Sequence, residues 1–249
     1  MNIVVAMKQI PDLQQIRIRD RKPVLDDVPF TFGNIDKNAL EAAMQIKEKI
    51  DSQVIVVAVG SSELEDTAKE ALAAGADEAR LVIWEDGLES SQSARLIAAA
   101  IKQLDAIDLI MFGEGSGDNY SSQVGSRVAQ ILELPQVGYV SHIEFQGDVV
   151  RLTRSLEDCE QTVEVKLPAV VTVTSDINVV RIPSVTQILK AGRKPKESIE
   201  AEDLVTVIPV PLIETISNLA PEMQRKQIVV KTVQELVKVL ADEGFGGRG

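Results

Sequence analysis

The chain has 249 residues, of which 45% are apolar and 26% charged, and its formal net charge is −12. That length suits one large α/β domain with an appendage, or two small domains. The acidity argues against nucleic acid or an anionic membrane as the main partner, because both require a basic face.

Aromatic residues are only 3% of the chain, so the core must be aliphatic. One cysteine, Cys159, and one histidine, His142, rule out an internal disulfide and a zinc site of the usual Cys/His kind. A Cys–His catalytic pair is set aside, since lone cysteines mostly serve as small buried side chains. The start, "MNIVVAMKQIPD", opens on a strand and has no signal-peptide character. No apolar run reaches the roughly 18 residues of a membrane span. The expectation is a cytoplasmic protein.

In chain order, Asn2–Met7 reads as a buried parallel strand, rich in valine. Asn38–Ile50 has helical spacing, Val54–Val59 is a second buried strand, and Ser62–Ala74 is a helix. A strand near Arg80–Trp84, a helix over Ser91–Leu104, a strand over Asp108–Phe112 and a helix over Ser121–Leu132 follow. This alternation predicts a doubly wound, mostly parallel sheet with right-handed crossovers. Such sheets bind ligands at the carboxyl ends of their strands, where the strand order reverses. The loops after Met7, Val59 and Phe112 are the candidates.

Beyond Pro135 the chain turns β-rich. "EFQGDVVRLTR" reads as a hairpin turning at Gln146–Asp148, and Pro168 divides two further strands. No Gly/Ser/Pro linker intervenes, so residues 1–175 are read as one nucleotide-binding domain with an antiparallel extension. From Asp176 regular periodicity is lost, yet patches such as "VTVIPVPLI" are too apolar for a free tail. Residues 176–249 therefore read as a docking loop, an extended arm laid on another protein and a closing helix over Val233–Asp242. The final "GFGGRG" reads as frayed.

The chemistry concentrates in "FGEGSGDNYSSQVGS". Glycines at 113, 115 and 117, between a strand and a helix, let the backbone approach a ligand, and free N–H groups at the helix start attract an anion. Ser116, Ser121 and Ser122 add hydroxyls. The named motifs do not fit: position 118 is Asp where a dinucleotide fingerprint needs Gly, and a P-loop lysine is absent. Residue types alone support a nucleotide cradle and a plain glycine-rich turn equally. Asp118 reads as a helix cap before a ribose acceptor, Gln123 as an exposed helical residue before a phosphate ligand. Tyr120 reads as packed on its neighbours before stacking on a ring, and Lys8 as a solvated strand-end lysine before a phosphate partner.

Four stretches together resemble the β subunit of electron transfer flavoproteins: "VVAMKQIPD", "NALEAAMQIKE", "GEGSGDNYSSQVGSRVAQILELPQV" and "LPAVVTVTSDINVVRIPSVTQILKAGRKP". They follow the family order across most of residues 1–195. The last is the most specific, carrying Asn178, Arg181, Pro183, Ser184, Ile188, Ala191 and Lys194–Pro195 of the family pattern N-x-P-R-[YF]-P-S-L-x-x-I-x-x-A-x-K-K-P. In the loop, Gly113, Asp118, Gln123 and Gly125 fit the commonest family form. Gly115, Ser116 and Gly117 replace Gln-Ala-Ile, and Asn119 and Tyr120 replace the acidic stretch after it. The Asn-Pro-Phe usual before the first helix is Gly33-Asn34-Ile35 here. These departures resemble the Fix branch, which serves carnitine metabolism, nitrogen fixation and electron bifurcation.

The resemblance implies no substrate chemistry within this chain alone. It implies a larger α subunit carrying FAD, exchange of electrons with acyl-CoA-type dehydrogenases, and an adenine nucleotide in the β subunit: AMP in ordinary members, a second FAD in bifurcating ones. FAD is the favoured occupant here, with NADH as electron source and ferredoxin or flavodoxin as low-potential acceptor. Nucleotide contacts carry over onto Ala6, onto Gly33, Asn34, Ile35 and Asp36, and onto Val59. In the loop they fall on Gly113, Glu114, Gly115, Ser116, Gly117 and Asp118, then on Asn119, Tyr120, Ser121, Ser122, Gln123 and Val124. Residues 181–190 resemble the family's docking loop, with Val185 at the position of the inserted apolar side chain and Arg181, Ile188 and Leu189 beside it. Burial of Val185 against the α subunit is the alternative. Arg154 aligns with an arginine near the flavin face of the subunit interface. The competing classes are a universal-stress-type nucleotide sensor, which leaves the proline-punctuated arm unexplained, and an ATP-hydrolysing or adenylate-forming enzyme, which lacks a Walker lysine.

Overall fold

The structure, a computed structural model, describes residues 1–85, 87–147, 149–207, 210–222 and 227–245. The first strand is β1 (Asn2–Pro11), followed by the short strands β2 (Arg17–Arg19), β3 (Lys22–Val24) and β4 (Phe30–Phe32). Strand and helix then alternate: α1 (Asn34–Lys47), β5 (Gln53–Gly60), α2 (Leu64–Ala74), β6 (Glu78–Ile83), α3 (Ser90–Lys102), β7 (Leu109–Gly113) and α4 (Val124–Leu132). Four strands follow, β8 (Gln136–Gln146), β9 (Val149–Ser155), β10 (Glu160–Lys166) and β11 (Ala169–Val173). The chain closes with α5 (Val185–Ala191), β12 (Lys196–Glu200), α6 (Ala201–Leu204) and α7 (Val233–Asp242).

The main sheet runs β10-β9-β8-β11-β7-β1-β5-β6-β12, with β4 pairing antiparallel on the end of β1. From β8 through β11 to β12 every pairing is parallel, while β8, β9 and β10 form an antiparallel meander at one side. The doubly wound fold expected from the alternation is therefore present, and the extension is continuous with the same sheet. Each strand of the centre is buried on both faces, which is why it reads as an unbroken apolar run. Ile3, Val5 and Met7 of β1 pack with Leu40 and Ala43 of α1 and Leu72 of α2. The alternate residues Val4 and Ala6 pack with Ala94, Ile97 and Ile101 of α3 and Val128 of α4. The period of two along the strand thus sorts side chains between two helical layers.

Two helices begin three or more residues from where the periodicity predicts, while α2 and α3 begin within two. α1 starts at Asn34 rather than Asn38, with Gly33 in extended backbone as its N-cap. Its first turn is polar because Asp36 has partners on distant strands, and helical spacing of apolar residues does not register such contacts. α4 starts at Val124 rather than Ser121, because Tyr120 and Ser122 take left-handed backbone with φ of 46° and 54°. Cys159 is exposed at the turn before β10 rather than buried. Lys196–Glu200, read as part of an extended arm, is the edge strand beside β6; a five-residue strand has too little pattern of its own to be seen. The hairpin turn was read through Asp148 and the frayed end through Gly249, and residues 148 and 246–249 lie outside the described set. Gln146 and Val149 pair at the base of that hairpin.

Two compact units divide the chain: residues 1–17 with 24–216, and residues 18–23 with 217–249. In the smaller unit, the Ala220 N–H donates to the Arg21 carbonyl at 2.7 Å, and Arg21 donates from its guanidinium to the Ala220 carbonyl at 2.8 Å and to Glu222 at 2.6 Å. α7 has the bounds read from sequence. Its Thr232 hydroxyl accepts from the Glu235 N–H at 3.2 Å, while Val233, Leu236, Val237 and Leu240 are exposed.

Gly75 ends α2 with φ of 132°, and a Cβ there would stand 2.5 Å from the Met44 methyl of α1. Gly75→Ala should destabilise the protein by about 1–3 kcal/mol, combining backbone strain with overpacking. The urea midpoint measures it, with an unchanged slope expected.

Candidate functional site

Strand order proceeds outward from β1 to β5 and β6, then returns across β1 to β7. The carboxyl ends of β1 and β7 therefore diverge at the reversal, and a crevice opens there. It has a volume of about 310 Å³, within the range that small-molecule sites occupy.

Part of its lining is apolar: Ala6 from β1, Val59 from β5, Trp84 after β6, Leu88 and Ile97 of the α3 region, and Phe112 from β7. Another part is polar, with Gly113, Glu114, Gly115, Ser116, Asn119 and the run Ser121–Gly125. There the first N–H groups of α4 carry no side-chain cap, because Gln123, the N-cap residue, turns its Oε1 to the Arg127 guanidinium at 2.8 and 3.1 Å. Uncapped N–H groups at a helix start attract an anion. An apolar lining beside anion-attracting N–H groups is compatible in chemistry with a nucleotide.

Asp36 ties the two diverging strands. Its Oδ2 accepts from the Lys8 N–H at 2.8 Å and its Oδ1 from the Gly113 N–H at 3.3 Å. A Cβ on Gly113 would lie 2.7 Å from Asp36 Oδ1 and 3.0 Å from the Asp36 backbone nitrogen, so only glycine allows this approach. Burial pushes the Asp36 carboxyl up to about 7, against the two N–H groups and the Lys8 charge, which favour ionisation; the nearby Asp118 charge adds to the rise. Outside this bridge, Lys8 Nζ pairs with Asp118 at 2.5 Å. Burial opposes ionisation of Asp118, but the Lys8 hydrogen bond and charge hold its carboxyl below the usual range.

The predicted residues separate accordingly. Ala6, Asp36, Val59, Gly113, Glu114, Gly115, Ser116, Asn119, Ser121, Ser122, Gln123 and Val124 converge on the crevice. Gly33, Asn34 and Ile35 instead start α1. Gly117 packs on Leu13 and Ile10. Asp118, read as a local cap, lies five residues before Gln123 and pairs with Lys8 instead. Tyr120 sets its ring over Gly115 and donates its hydroxyl to Glu114 at 2.9 Å. Trp84, Leu88, Ser90, Ser93 and Ile97 were missed. The end of β6 was a signal for Trp84, since it is another strand terminus on the same edge. The α3 residues carried none, being ordinary core-facing positions of an amphipathic helix.

The residues expected to dock a partner are not among those lining the crevice. Val185, Ile188 and Leu189 on α5 are exposed. Arg181 is turned inward, with Nε and a terminal nitrogen on the two oxygens of Glu41 at 2.5 and 2.9 Å and its other terminal nitrogen on Glu48 at 2.9 Å. Burial opposes the charge on Glu41, yet Arg181 and Gln45 together hold its carboxyl below the usual range. Arg154 Nε is buried without a hydrogen-bond partner.

A family model described as electron transfer flavoprotein domain matches residues 24–204. The electron transfer flavoprotein subunit beta of Thermoanaerobacterium thermosaccharolyticum is 37% identical over 209 residues, 82% of this chain and 80% of that protein. The subunit beta of Clostridium acetobutylicum is likewise 37% identical over 208 residues, with the same shares covered. The chain belongs to the electron transfer flavoprotein family. The resemblance drawn from four stretches of sequence is thereby borne out, and the matched region of this electron transfer flavoprotein chain contains β4, α1, the glycine-rich loop, α5 and β12. Among the described residues no helix is long and apolar enough to cross a membrane, and no three His, Cys, Asp or Glu side chains group as metal ligands.

Two outcomes are expected. Asp36 holds a proton in the folded protein between about pH 4 and 7 that the unfolded chain has released. Its stabilising contribution is therefore complete below about pH 4 and is lost as pH rises through about 7. Urea midpoints of wild type relative to Asp36→Asn should fall across that window. Gly113→Ala should destabilise the protein by about 1–3 kcal/mol, read from the urea midpoint, since the Asp36 bridge must shift to admit the methyl group.

Proposed function

We propose that the chain is the β subunit of a heterodimeric electron transfer flavoprotein, bound to an α subunit that carries FAD, and that its crevice holds an adenine nucleotide. The observation that carries this reading is the crevice at the strand-order reversal, lined by both apolar and polar groups, most of them within the region matched to the family. The apolar part suits an adenine ring, against Ala6, Val59, Ile97 and Phe112. The polar part suits phosphate, at the glycine backbone and the start of α4.

FAD is the favoured occupant. Gly117, Asp118, Asn119, Tyr120, Ser122 and Gln123 are exposed, so the phosphate end opens to solvent and a nucleotide can continue outward into a second half. When bound, FAD supplies a redox centre able to exchange electrons with the α-subunit flavin. The chain's own part is to bind and orient it: Asp36 fixes the spacing of the β1 and β7 ends, Lys8 and Asp118 balance charge at the mouth, and α4 presents its N–H groups. NADH as electron source and ferredoxin or flavodoxin as low-potential acceptor complete the bifurcating form of the reading. The exposed apolar face formed by Ile182, Val185 and Leu189 is the docking surface for an acyl-CoA-type dehydrogenase.

Co-expression with the α subunit, followed by denaturation and quantification of released nucleotides, tests the reading. A yellow heterodimer releasing two FAD is expected. One FAD with one AMP overturns FAD in this crevice while keeping the subunit assignment. A colourless homodimer overturns both and favours a universal-stress-type sensor.

A further inference from the structure

The segment that carries the proposed docking face departs from the rest of the surface in two respects. Ile182 is 93% exposed, and Val185 and Leu189 are each 74% exposed. Apolar side chains in water gain nothing from their neighbours, so of α5 only Ala191, buried in the core cluster, holds the segment by packing. Its two flanks, in contrast, are tied to different helices by polar contacts.

On the upstream flank, α1 presents Asn38, Glu41 and Glu48 toward the segment. Asn38 Nδ2 donates to both the carbonyl and the Oδ1 of Asn178 at 3.0 Å, and Asn178 Nδ2 returns a bond to the Asn38 carbonyl at 2.9 Å. Three residues on, Arg181 makes its two-pronged pair with Glu41, whose side chain is only 5% exposed. The Arg181 backbone N–H donates to the same carboxylate at 3.3 Å. A planar guanidinium matches a carboxylate in this way and fixes direction as well as distance, which an ammonium does not. On the downstream flank, Lys194 Nζ donates to the carbonyls of Leu72 and Ala76 at 2.9 and 2.6 Å, capping the carboxyl end of α2. The Pro195 carbonyl accepts from the Ala79 N–H at 3.1 Å as β12 begins. Between the flanks, Ser184 and Gln187 close a capping box that starts α5.

From this we infer that Arg181 is a positioning residue: it does not touch the docking partner, but holds the apolar face of α5 in the docking conformation before any partner arrives. The inference rests on the reading that this face is the docking surface, and it gives Arg181 a role different from that of its neighbours Val185 and Leu189. A face ordered beforehand spares the complex the loss of chain freedom on association, so disordering it weakens binding and leaves the subsequent chemistry intact.

The test uses the α–β heterodimer and a purified short-chain acyl-CoA dehydrogenase reduced by its acyl-CoA. Arg181→Lys keeps the charge and loses the fork. The double variant Arg181→Gln with Glu41→Gln removes both charges, so that no lone carboxylate stays buried and folding is preserved. In both, amide hydrogen exchange over residues 182–191 should quicken by about tenfold. The KM for the dehydrogenase should rise by roughly five- to tenfold, with kcat within about twofold and nucleotide content unchanged. Val185→Asp should raise KM with no change in exchange. A rise in KM for Arg181→Lys without faster exchange would overturn the inference, because Arg181 would then be touching the partner itself. Unchanged exchange and KM in both variants would also overturn it. If Val185→Asp leaves KM unaltered, or if wild type accepts no electrons from the dehydrogenase, the docking reading fails, and exchange alone then decides whether Arg181 orders the segment.

Discussion

Parallel strands that share a sheet must lose contact where their order reverses, and in this protein the loss falls between the carboxyl ends of β1 and β7. Side chains of the loops enter the gap because no backbone ladder fills it. Asp36 limits how far it opens, accepting one N–H from each strand with a carboxylate buried beside them. The glycine at 113 follows from that contact, since any side chain there would occupy the space of the carboxylate. The long polar loop follows too: it must leave the sheet at Gly113, turn back through left-handed residues and deliver the start of α4 to the same gap.

α1 connects this crevice to a second feature of the surface. Its first turn supplies Asp36, and two and five residues further on Asn38 and Glu41 hold the Asn178–Arg181 segment. One helix thus holds both the crevice and the segment that carries the apolar face of α5. A helix suits this because its rise and rotation per residue fix the separation of side chains that point in different directions. The buried charge on Glu41 is tolerable only with Arg181 opposite, so the pair adds orientation more than stability.

The acidic balance of the chain and its exposed apolar residues belong together. A net charge of −12 favours a solvated surface, while apolar side chains stand out on the segment around α5, along the arm over residues 207–219 and along α7. The segment around α5 is anchored by Ala191 in the core and by polar contacts on its flanks, and α7 lies in the smaller unit, where Arg21 bonds Ala220 and Glu222.

The sequence by itself determined the doubly wound sheet, the site at its strand ends and the family. Buried parallel strands need apolar runs, crossovers need amphipathic helices, and both patterns are local enough to be read residue by residue. The motif residues Gly113, Ser116 and Gln123 were legible for the same reason. Only the tertiary structure decided what joins them. Asp36 sits near the other residues of the crevice because α1 begins where two distant strands end, Trp84 and Ile97 complete the apolar wall because β6 and α3 end on the same edge, and Arg181 turns inward because Glu41 lies buried across from it. These are contacts between residues far apart in the chain, and neither periodicity nor spacing carries information about which distant atoms a side chain meets.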